Sequence, residues 1–290
     1  MKRENGEQPH TYFIQERTNG EEVARLSLQD EMVTTAMGGV LPEQPDPGIF
    51  HQVLDVACGP GGWLIATAQR YPTISRLVGV DISRQMVAHA REQAEAQHLS
   101  ERVEFHVMDA LRMLEFPAST FDLVNLRFGV SFLRTWDWPK LLIEMLRVTH
   151  AGGVVRLTEG EVGSQSSSPA ATTLSERGVQ ALYRAGHLLT PEPADLLDHL
   201  APLLRQYGGE RVQTKPYALE YRAGTPEGRA YVQDARSVLR QARPFVQKWG
   251  GTSDDYEALY QQAIAEMQQP NFQATWNLLT VWGHKRDALT

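Results

Sequence analysis

The feature that most constrains this chain is a glycine-rich turn that follows a short apolar run. Residues 53–63 read Val-Leu-Asp-Val-Ala-Cys-Gly-Pro-Gly-Gly-Trp, a pattern that predicts a buried strand, a tight turn and then a helix. Glycines in such a turn let the backbone approach a ligand closely, and the helix N-terminus presents unpaired N–H groups to an anion. The segment therefore predicts a dinucleotide or nucleoside cofactor in an α/β fold.

Asp55 separates these two kinds of cofactor. It lies in the strand before the glycines, where a carboxylate suits a cationic group such as the ammonium of a methionine moiety and is unfavourable beside a pyrophosphate. A dinucleotide site also calls for G-x-G-x-x-G, and here Gly59 and Gly61 are followed by Leu64 at the position of the third glycine. An NAD-dependent oxidoreductase is therefore disfavoured, although the sequence does not eliminate it.

The glycine turn belongs to a region in which short apolar strands alternate with helical patterns. This alternation predicts a parallel sheet with helices on both faces. We predict strands at 52–57, 77–81, 103–108, 121–126 and 154–159, and helices at 62–71, 84–97 and 138–149, the last ended by Gly152-Gly153. Outside this region we predict helices at 21–37, 172–188 and 194–206, a polar loop at 164–169, strands at 211–221 and 275–282, and two amphipathic helices between these last strands.

Two further aspartates stand at the ends of predicted strands. Asp81 is placed to accept hydrogen bonds from both hydroxyls of a ribose; its alternative role as a helix cap suits Ser83 better. Asp109 is placed to accept a hydrogen bond from an adenine amino group, with Met108 and Ala110 in apolar contact with the ring. Together with Asp55, these residues favour a cofactor that contains adenosine.

The order of Asp55 with its glycine turn, Asp81, Asp109 and then Phe121-Asp122-Leu123-Val124 resembles the class I S-adenosylmethionine-dependent methyltransferases. The resemblance is nearest the branch of the ubiquinone/menaquinone C-methyltransferases and many small-molecule methyltransferases, and it covers about 50–160. It implies a three-layer Rossmann-like fold whose mostly parallel, seven-stranded sheet has an antiparallel last strand. It also implies an N-terminal helical cap at 1–46, a cofactor core at 47–163, and a remainder at 164–290 with a helical lid at about 224–270.

The resemblance implies S-adenosylmethionine as the cofactor and a set of residues around it. Arg25 and Gln29 share one helix face, and Arg25 is expected to pair with the cofactor carboxylate, a solvated helix face being equally compatible with the pattern. The expected cofactor residues are Asp55, Ala57, Gly59, Gly61, Asp81, Ile82, Met86, Met108, Asp109, Ala110 and Asn125, with Tyr12, Arg25 and Gln29 from the N-terminal cap.

Few sequence features indicate a catalytic residue, because a sulfonium methyl needs mainly an acceptor held in line with its bond to sulfur. Candidate residues are His187, for which a structural role is favoured, and Glu159, for which a capping or surface role is at least as compatible. Arg127 either orients an anionic or carbonyl group of the acceptor or pairs with a neighbouring carboxylate. His150 and His199 are candidates by residue type alone.

The acceptor is expected to be a small organic molecule with an O, N or C nucleophile. Its pocket is predicted between 127–132, Glu159 and the 224–270 helices, whose aromatic residues follow first of all a packing pattern. The net charge of −7 and the absence of a basic run disfavour nucleic acid or an anionic membrane as partner. A cofactor-binding scaffold without turnover is the alternative function.

Location and metal content are constrained mainly by what the sequence lacks. Residues 1–10 are polar, unlike a signal peptide, and no run reaches the ~18 apolar residues of a membrane span. The single cysteine, Cys58, excludes an intrachain disulfide and a cysteine-rich zinc site. We expect a cytoplasmic protein without a bound metal.

Overall fold

Five parallel strands form the centre of the computed structural model, which describes residue 12, residues 20–251 and residues 255–286. The strands lie in the order β3-β2-β1-β4-β5, which confirms the predicted alternation of strands and helices. The first half of the chain contains α1 (Gly20–Ala36), β1 (Gln52–Val56), α2 (Gly62–Arg70), β2 (Arg76–Asp81), α3 (Arg84–Ala96), β3 (Val103–Val107), β4 (Phe121–Arg127), α4 (Trp138–Val148) and β5 (Thr149–Gly160).

The second half of the chain completes the sheet and adds four helices. The last strand lies antiparallel between β5 and β7, as predicted. Within the part of the chain that the structure describes, the sheet has eight strands rather than seven, because two residues of the expected polar loop pair with the last strand. The elements are β6 (Gln165–Ser166), α5 (Pro169–Arg184), α6 (Asp195–Gln206), β7 (Gly209–Arg222), α7 (Pro226–Trp249), α8 (Tyr256–Met267) and β8 (Gln273–Lys285).

Both faces of the parallel strands are covered by helices, which explains their nearly continuous apolar runs. On one face, Val56 of β1 belongs to a buried cluster with Leu141 of α4 and Leu200 of α6. On the other face, Val53 belongs to a cluster with Leu64 of α2. The helices thus leave the carboxyl ends of the strands as the place where ligands reach the sheet.

One expectation about helix ends is wrong. The third predicted helix, α4, ends at Val148, and Gly152-Gly153 lies inside β5. The pairing of β4 with β5 shifts register between Phe121 and Leu123, so β5 bulges there, and Gly152 adopts a left-handed φ of +76°. A side chain on Gly153 would press against the Asp122 carbonyl oxygen at 2.9 Å, so these glycines serve a strand bulge.

A second apolar core lies outside the sheet, between α1, α5, α7 and α8. Its members include Met32 of α1, Leu174 of α5, Phe245 of α7 and Tyr260 of α8. The helices predicted as a lid at 224–270 therefore pack as one lobe with α1 and α5, which we call the helical lobe. Residues 1–11 and 13–19 of the predicted cap and 252–254 of the predicted lid lie outside the described residues.

A buried ion cluster joins α1 to α7. Arg25 is only 5% exposed and donates to both oxygens of Glu22 at 2.8 Å and to Asp234 at 3.0 Å. Gln29 donates to the other oxygen of Asp234 at 3.3 Å. The solvated helix face considered for Arg25 is therefore wrong. Separately, no helix in the described ranges is long and apolar enough to cross a membrane.

Removing the guanidinium of this cluster should destabilise the fold strongly. Arg25→Met leaves two buried carboxylates without their cation, and we expect the free energy of unfolding to fall by about 3–5 kcal/mol. Arg240→Met is the matched control, because its exposed pair with Glu21 joins the same two helices and should contribute about 0–1 kcal/mol. Urea denaturation measures both losses. Equal losses in the two variants would contradict a buried cluster.

Candidate cofactor and acceptor site

A cavity of about 680 Å³ lies where β1 to β4 end and continues beneath the helical lobe. In open α/β sheets, ligands bind beyond the carboxyl ends of the strands. Most of the predicted cofactor residues line this cavity, namely Tyr12, Arg25, Gln29, Asp55, Ala57, Gly59, Asp81, Ile82, Met86, Met108, Asp109 and Ala110. Gly61 and Asn125 are not among its lining residues.

The two glycines of the turn have different physical roles. Gly59 has a φ of +53°, and a side chain there would meet only Leu26 at 4.0 Å, so its open side faces the cavity. Gly61 has a φ of +82°, and a Cβ atom would lie 2.7 Å from the Phe105 ring. Gly59 therefore leaves room for a ligand, whereas Gly61 lets the start of α2 pack against β3. Ala57 is also left-handed, with a φ of +54°, although it is not glycine.

Asp55 is a buried carboxylate held by its neighbour on β4. It is 3% exposed, and its Oδ1 accepts a hydrogen bond from the Asn125 amide at 2.7 Å. Burial raises the pKa of Asp55 to about 7, an effect that the nearby Arg127 guanidinium partly offsets. A cationic group placed against this carboxylate would stabilise its ionised form. Asn125 thus acts from behind the cavity, by orienting Asp55.

Asp81 is fixed at the end of β2 by backbone donors. Its Oδ2 accepts from Gly59 N at 3.0 Å, and its Oδ1 accepts from Ser83 N at 2.8 Å. Ser83 caps α3 through a hydrogen bond from Met86 N to its hydroxyl, as predicted. Asp81 therefore ties the glycine turn to β2 while lining the cavity.

Asp109 lies in the loop after β3, beside an apolar part of the wall. Its Oδ1 accepts from Leu111 N at 3.0 Å, and its Oδ2 lies 3.4 Å from Arg112 Nε. Ile82 is 47% exposed and lines the cavity with Met86. An exposed aliphatic residue beside a fixed carboxylate suits a flat ring that carries a hydrogen-bond donor. The wall thus fits the nucleoside part of S-adenosylmethionine, and Asp55 fits its ammonium.

Comparisons with known proteins agree with this geometry. Residues 53–153 match the family described as "Methyltransferase domain". A demethylmenaquinone methyltransferase of Bacillus cereus is 30% identical over 176 residues, which are 57% of this chain and 73% of that protein. The chain belongs to the class I S-adenosylmethionine-dependent methyltransferases. The predicted family and cofactor are thereby confirmed, while the roles of individual site residues stay predictions.

Other matches cover a smaller part of the relative's chain. A demethylmenaquinone methyltransferase of Bacillus licheniformis is 35% identical over 102 residues, and the match spans 35% of this chain and 41% of that protein, less than half its length. The solved structure of Haemonchus contortus phosphoethanolamine N-methyltransferase 2 with phosphomonomethylethanolamine and S-adenosylhomocysteine has a TM-score of 0.56 at 18% identity. It covers 95% of this chain and 60% of that one, and at this identity it supports the fold alone.

Glu159 is buried below the cavity wall. It is 1% exposed, and its Oε1 accepts a hydrogen bond from Gly129 N, which follows Phe128 with its left-handed φ of +58°. The surface role considered for Glu159 is wrong. No hydrogen-bond partner of its Oε2 is found among the described residues, and burial raises its pKa to about 8. Glu159 therefore holds the turn after β4 as a neutral acid at neutral pH.

The other catalytic candidates have structural partners. The Nδ1 atom of His187 lies 2.9 Å from the Val130 carbonyl oxygen, and burial lowers the His187 pKa; His187 is not among the cavity-lining residues. His150 pairs with Asp122 at the amino ends of β5 and β4, on the side of the sheet away from the cavity. His199 contacts the Asp195 carbonyl oxygen on α6. Arg127 lines the cavity and pairs with Asp30 of α1, which is the carboxylate alternative.

Several residues that line the cavity were not predicted from the sequence. One face of α5 lines the cavity with Leu174, Gly178 and Leu182 among others, and this apolar stripe at helical spacing indicates only packing in a sequence. Trp276 of β8 also lines the cavity, where its ring stacks on Phe128 at 5.6 Å. The sequence pattern of the last strand does not indicate that Trp276 faces a cavity.

Glu159→Gln should flatten the dependence of stability on pH. The native Glu159 pKa of about 8 exceeds the ordinary 4.5, so the folded protein keeps a proton that the unfolded chain releases between these values. Stability from this group is therefore fully present below pH 4.5 and is lost as pH rises towards 8. Glutamine is neutral throughout and loses this component.

Thermal melts of both proteins between pH 5 and about 8.5 measure the effect. Asp55, whose pKa is also raised, contributes equally to both curves, so their difference isolates Glu159. The wild-type melting temperature should fall more steeply with pH than that of the variant. Parallel curves would contradict a buried, protonated Glu159.

Proposed function

We propose that the protein transfers the methyl group of S-adenosylmethionine to an O, N or C nucleophile of a small, largely apolar organic acceptor. The observation that carries this proposal is the continuity of one cavity. It runs from the three aspartates at the strand ends into a chamber enclosed by the helical lobe. A continuous cavity of this kind would give donor and acceptor adjoining places beneath the helical lobe.

The walls of the chamber favour an apolar acceptor. Apolar and aromatic side chains from the turn after β4, from α5, α7 and α8, and from β8 surround it. Asp234, the charged residue that α7 contributes, is already paired with Arg25. Ligand pockets of this kind bind organic molecules whose few polar groups find a few matching partners. The apolar wall includes Phe128, Val130, Leu174, Leu182, Val238, Leu239, Phe245, Tyr256, Met267 and Trp276.

Polar anchors for an acceptor are few and well placed. The Tyr231 hydroxyl and Ser164 hydroxyl are hydrogen-bonded to each other, and both residues line the cavity. Glu161 also lines it and accepts from the Asn277 amide at 3.0 Å. These groups offer one acceptor molecule a small number of orienting hydrogen bonds. The net charge of −7 adds support for a small molecule over nucleic acid.

The chain's own contribution to the chemistry is positioning. The bound cofactor supplies an electrophilic sulfonium methyl, so the residues around the acceptor need to hold its nucleophile in line and exclude water. Two parts of the wall suit this role. They are the turn of Phe128–Ser131, which Glu159 holds by a hydrogen bond to Gly129 N, and the apolar face of α5. The relatives' names give demethylmenaquinone as the compound they methylate, which supports a small organic acceptor here as well.

Filling the chamber should slow methyl transfer strongly without weakening cofactor binding. Gly178 lines the cavity, and an added Cβ there would meet nothing within 4 Å, so Gly178→Leu projects into open space. We expect turnover of the acceptor to fall by about 100-fold through misplacement. Affinity for S-adenosylhomocysteine should stay unchanged. Stability should rise by about 0.8–1 kcal/mol, because glycine is a poor helix former.

The acceptor is first found by mass spectrometry, with the wild-type protein, methyl-labelled S-adenosylmethionine and a panel of phenols, quinols and amines. Gly178→Ala is the matched control, since it shares the helix effect but fills little volume. Undiminished turnover by Gly178→Leu would refute the acceptor chamber. Intact S-adenosylhomocysteine binding without methylation of any panel member would favour the scaffold alternative.

A further inference from the structure

Asp30 and Arg127 form an ion pair between the helical lobe and the sheet. Asp30 belongs to α1, and Arg127 is the last residue of β4. Their side chains are 14% and 13% exposed, and Thr34 contacts both of them. The same pair lines the cofactor end of the cavity. It therefore stands where α1 meets the predicted place of the methionine moiety.

The Asp30 carboxylate occupies a place that favours an anion. Gly62 is the first residue of α2, and a Cβ atom on Gly62 would overlap the Asp30 Oδ2 atom. The carboxylate thus lies against the start of a nine-residue helix whose cap residue, Gly61, offers no side-chain hydrogen bond. Helix N-termini attract anions, and the Arg127 guanidinium adds a formal positive charge.

Asp55 lies close to this place. Asp55 pairs with Asn125 in the register of β1 with β4, and Arg127 lies two residues further along β4, on the same face as Asn125. A zwitterionic amino acid needs an anion and a cation a few ångströms apart. Asp55 and Arg127 meet that requirement at adjacent strand ends.

The other cations of the cavity wall are Arg25, Arg112 and Lys140, and they fit this role less well. Lys140 is an exposed residue of α4. Arg25 is already neutralised by two buried carboxylates, Glu22 and Asp234. Arg112 is 66% exposed and lies beside Asp109, at the end of the wall that suits the nucleoside. Among the described residues, the ion pair of Arg127 is with Asp30, which belongs to a helix of the lobe.

We infer that Arg127 binds the carboxylate of the cofactor's methionine moiety, and that Asp30 occupies this position in the cofactor-free protein. The inference rests on the cofactor assignment and reassigns the carboxylate contact from Arg25. Because Asp30 fills the position between Arg127 and the start of α2, cofactor binding there releases Asp30 from Arg127. The position of α1, and with it one wall of the acceptor chamber, is thereby coupled to cofactor occupancy.

The test compares two ligands that differ in the amino acid alone. S-adenosylhomocysteine carries the zwitterion, and 5′-methylthioadenosine has the same nucleoside and thioether without it. Titration calorimetry on the full chain gives both dissociation constants. Asp30→Asn removes the competing charge and should tighten S-adenosylhomocysteine binding by about threefold to tenfold. Arg127→Gln should weaken it by about tenfold or more, as expected for a lost charge-assisted hydrogen bond.

Binding of 5′-methylthioadenosine should change by less than about twofold in either variant, which also shows that the cavity is folded. Glu31→Gln is the matched control, an exposed acid adjacent to Asp30 on α1, and should change neither constant. An unchanged ratio of the two constants in Asp30→Asn would overturn the inference, as would equal weakening of both ligands by Arg127→Gln. If the wild type binds neither ligand, the cofactor assignment itself fails.

Discussion

The site depends on one buried polar chain that crosses the centre of the sheet. Asp55 accepts from Asn125 at 2.7 Å, Asn125 accepts from Arg156 at 2.8 Å, and Arg156 donates to Glu43 at 2.8 Å. A buried carboxylate is costly unless it is hydrogen-bonded, so this chain ties β1, β4 and β5 together in one register. The Arg156 guanidinium beside Glu43 holds the Glu43 pKa below its ordinary value, although burial acts to raise it. The result is a carboxylate kept at the cavity floor at the end of β1.

The protein divides its cavity between two cores. The sheet supplies fixed carboxylates and a glycine turn, and we propose that these recognise the cofactor by charge and hydrogen bonding. The helical lobe supplies apolar surface from α1, α5, α7 and α8, and we propose that this surface selects the acceptor mainly by shape. Contacts such as that between Asp30 and Arg127 join the two parts, so the donor site and the acceptor chamber share the wall formed by α1.

The strand, turn and helix of the cofactor half could be predicted from the sequence, because their signals are local. The Asp55–Trp63 segment fixes a strand, a turn and a helix within a few residues, and Asp81 and Asp109 follow at strand ends. Gly61 and Asn125 were expected to touch the cofactor but act from behind the cavity surface. Sequence spacing places a residue on an element, whereas the depth of its side chain depends on packing against distant elements such as Phe105 and Arg156.

Less of the acceptor half could be predicted from the sequence, because the burial of its residues depends on packing between distant segments. Glu159 sits beneath a turn formed more than 25 residues earlier, and nothing in its sequence neighbours indicates that it is buried. The stripe of α5 has the same pattern whether it faces a core or a cavity. Gly152-Gly153 resembled a helix stop because glycines end both helices and strand irregularities.

We propose that Asp55, Gly59 and Asp81, at the carboxyl ends of β1 and β2, bind S-adenosylmethionine. Calorimetric titration of wild-type protein and of Asp81→Ala with S-adenosylhomocysteine and with NADH tests it most directly. We expect saturable S-adenosylhomocysteine binding, no comparable NADH binding, and a loss of about 1.5–3 kcal/mol of S-adenosylhomocysteine binding free energy in Asp81→Ala. Tighter binding of NADH, or unchanged S-adenosylhomocysteine affinity in Asp81→Ala, would contradict it.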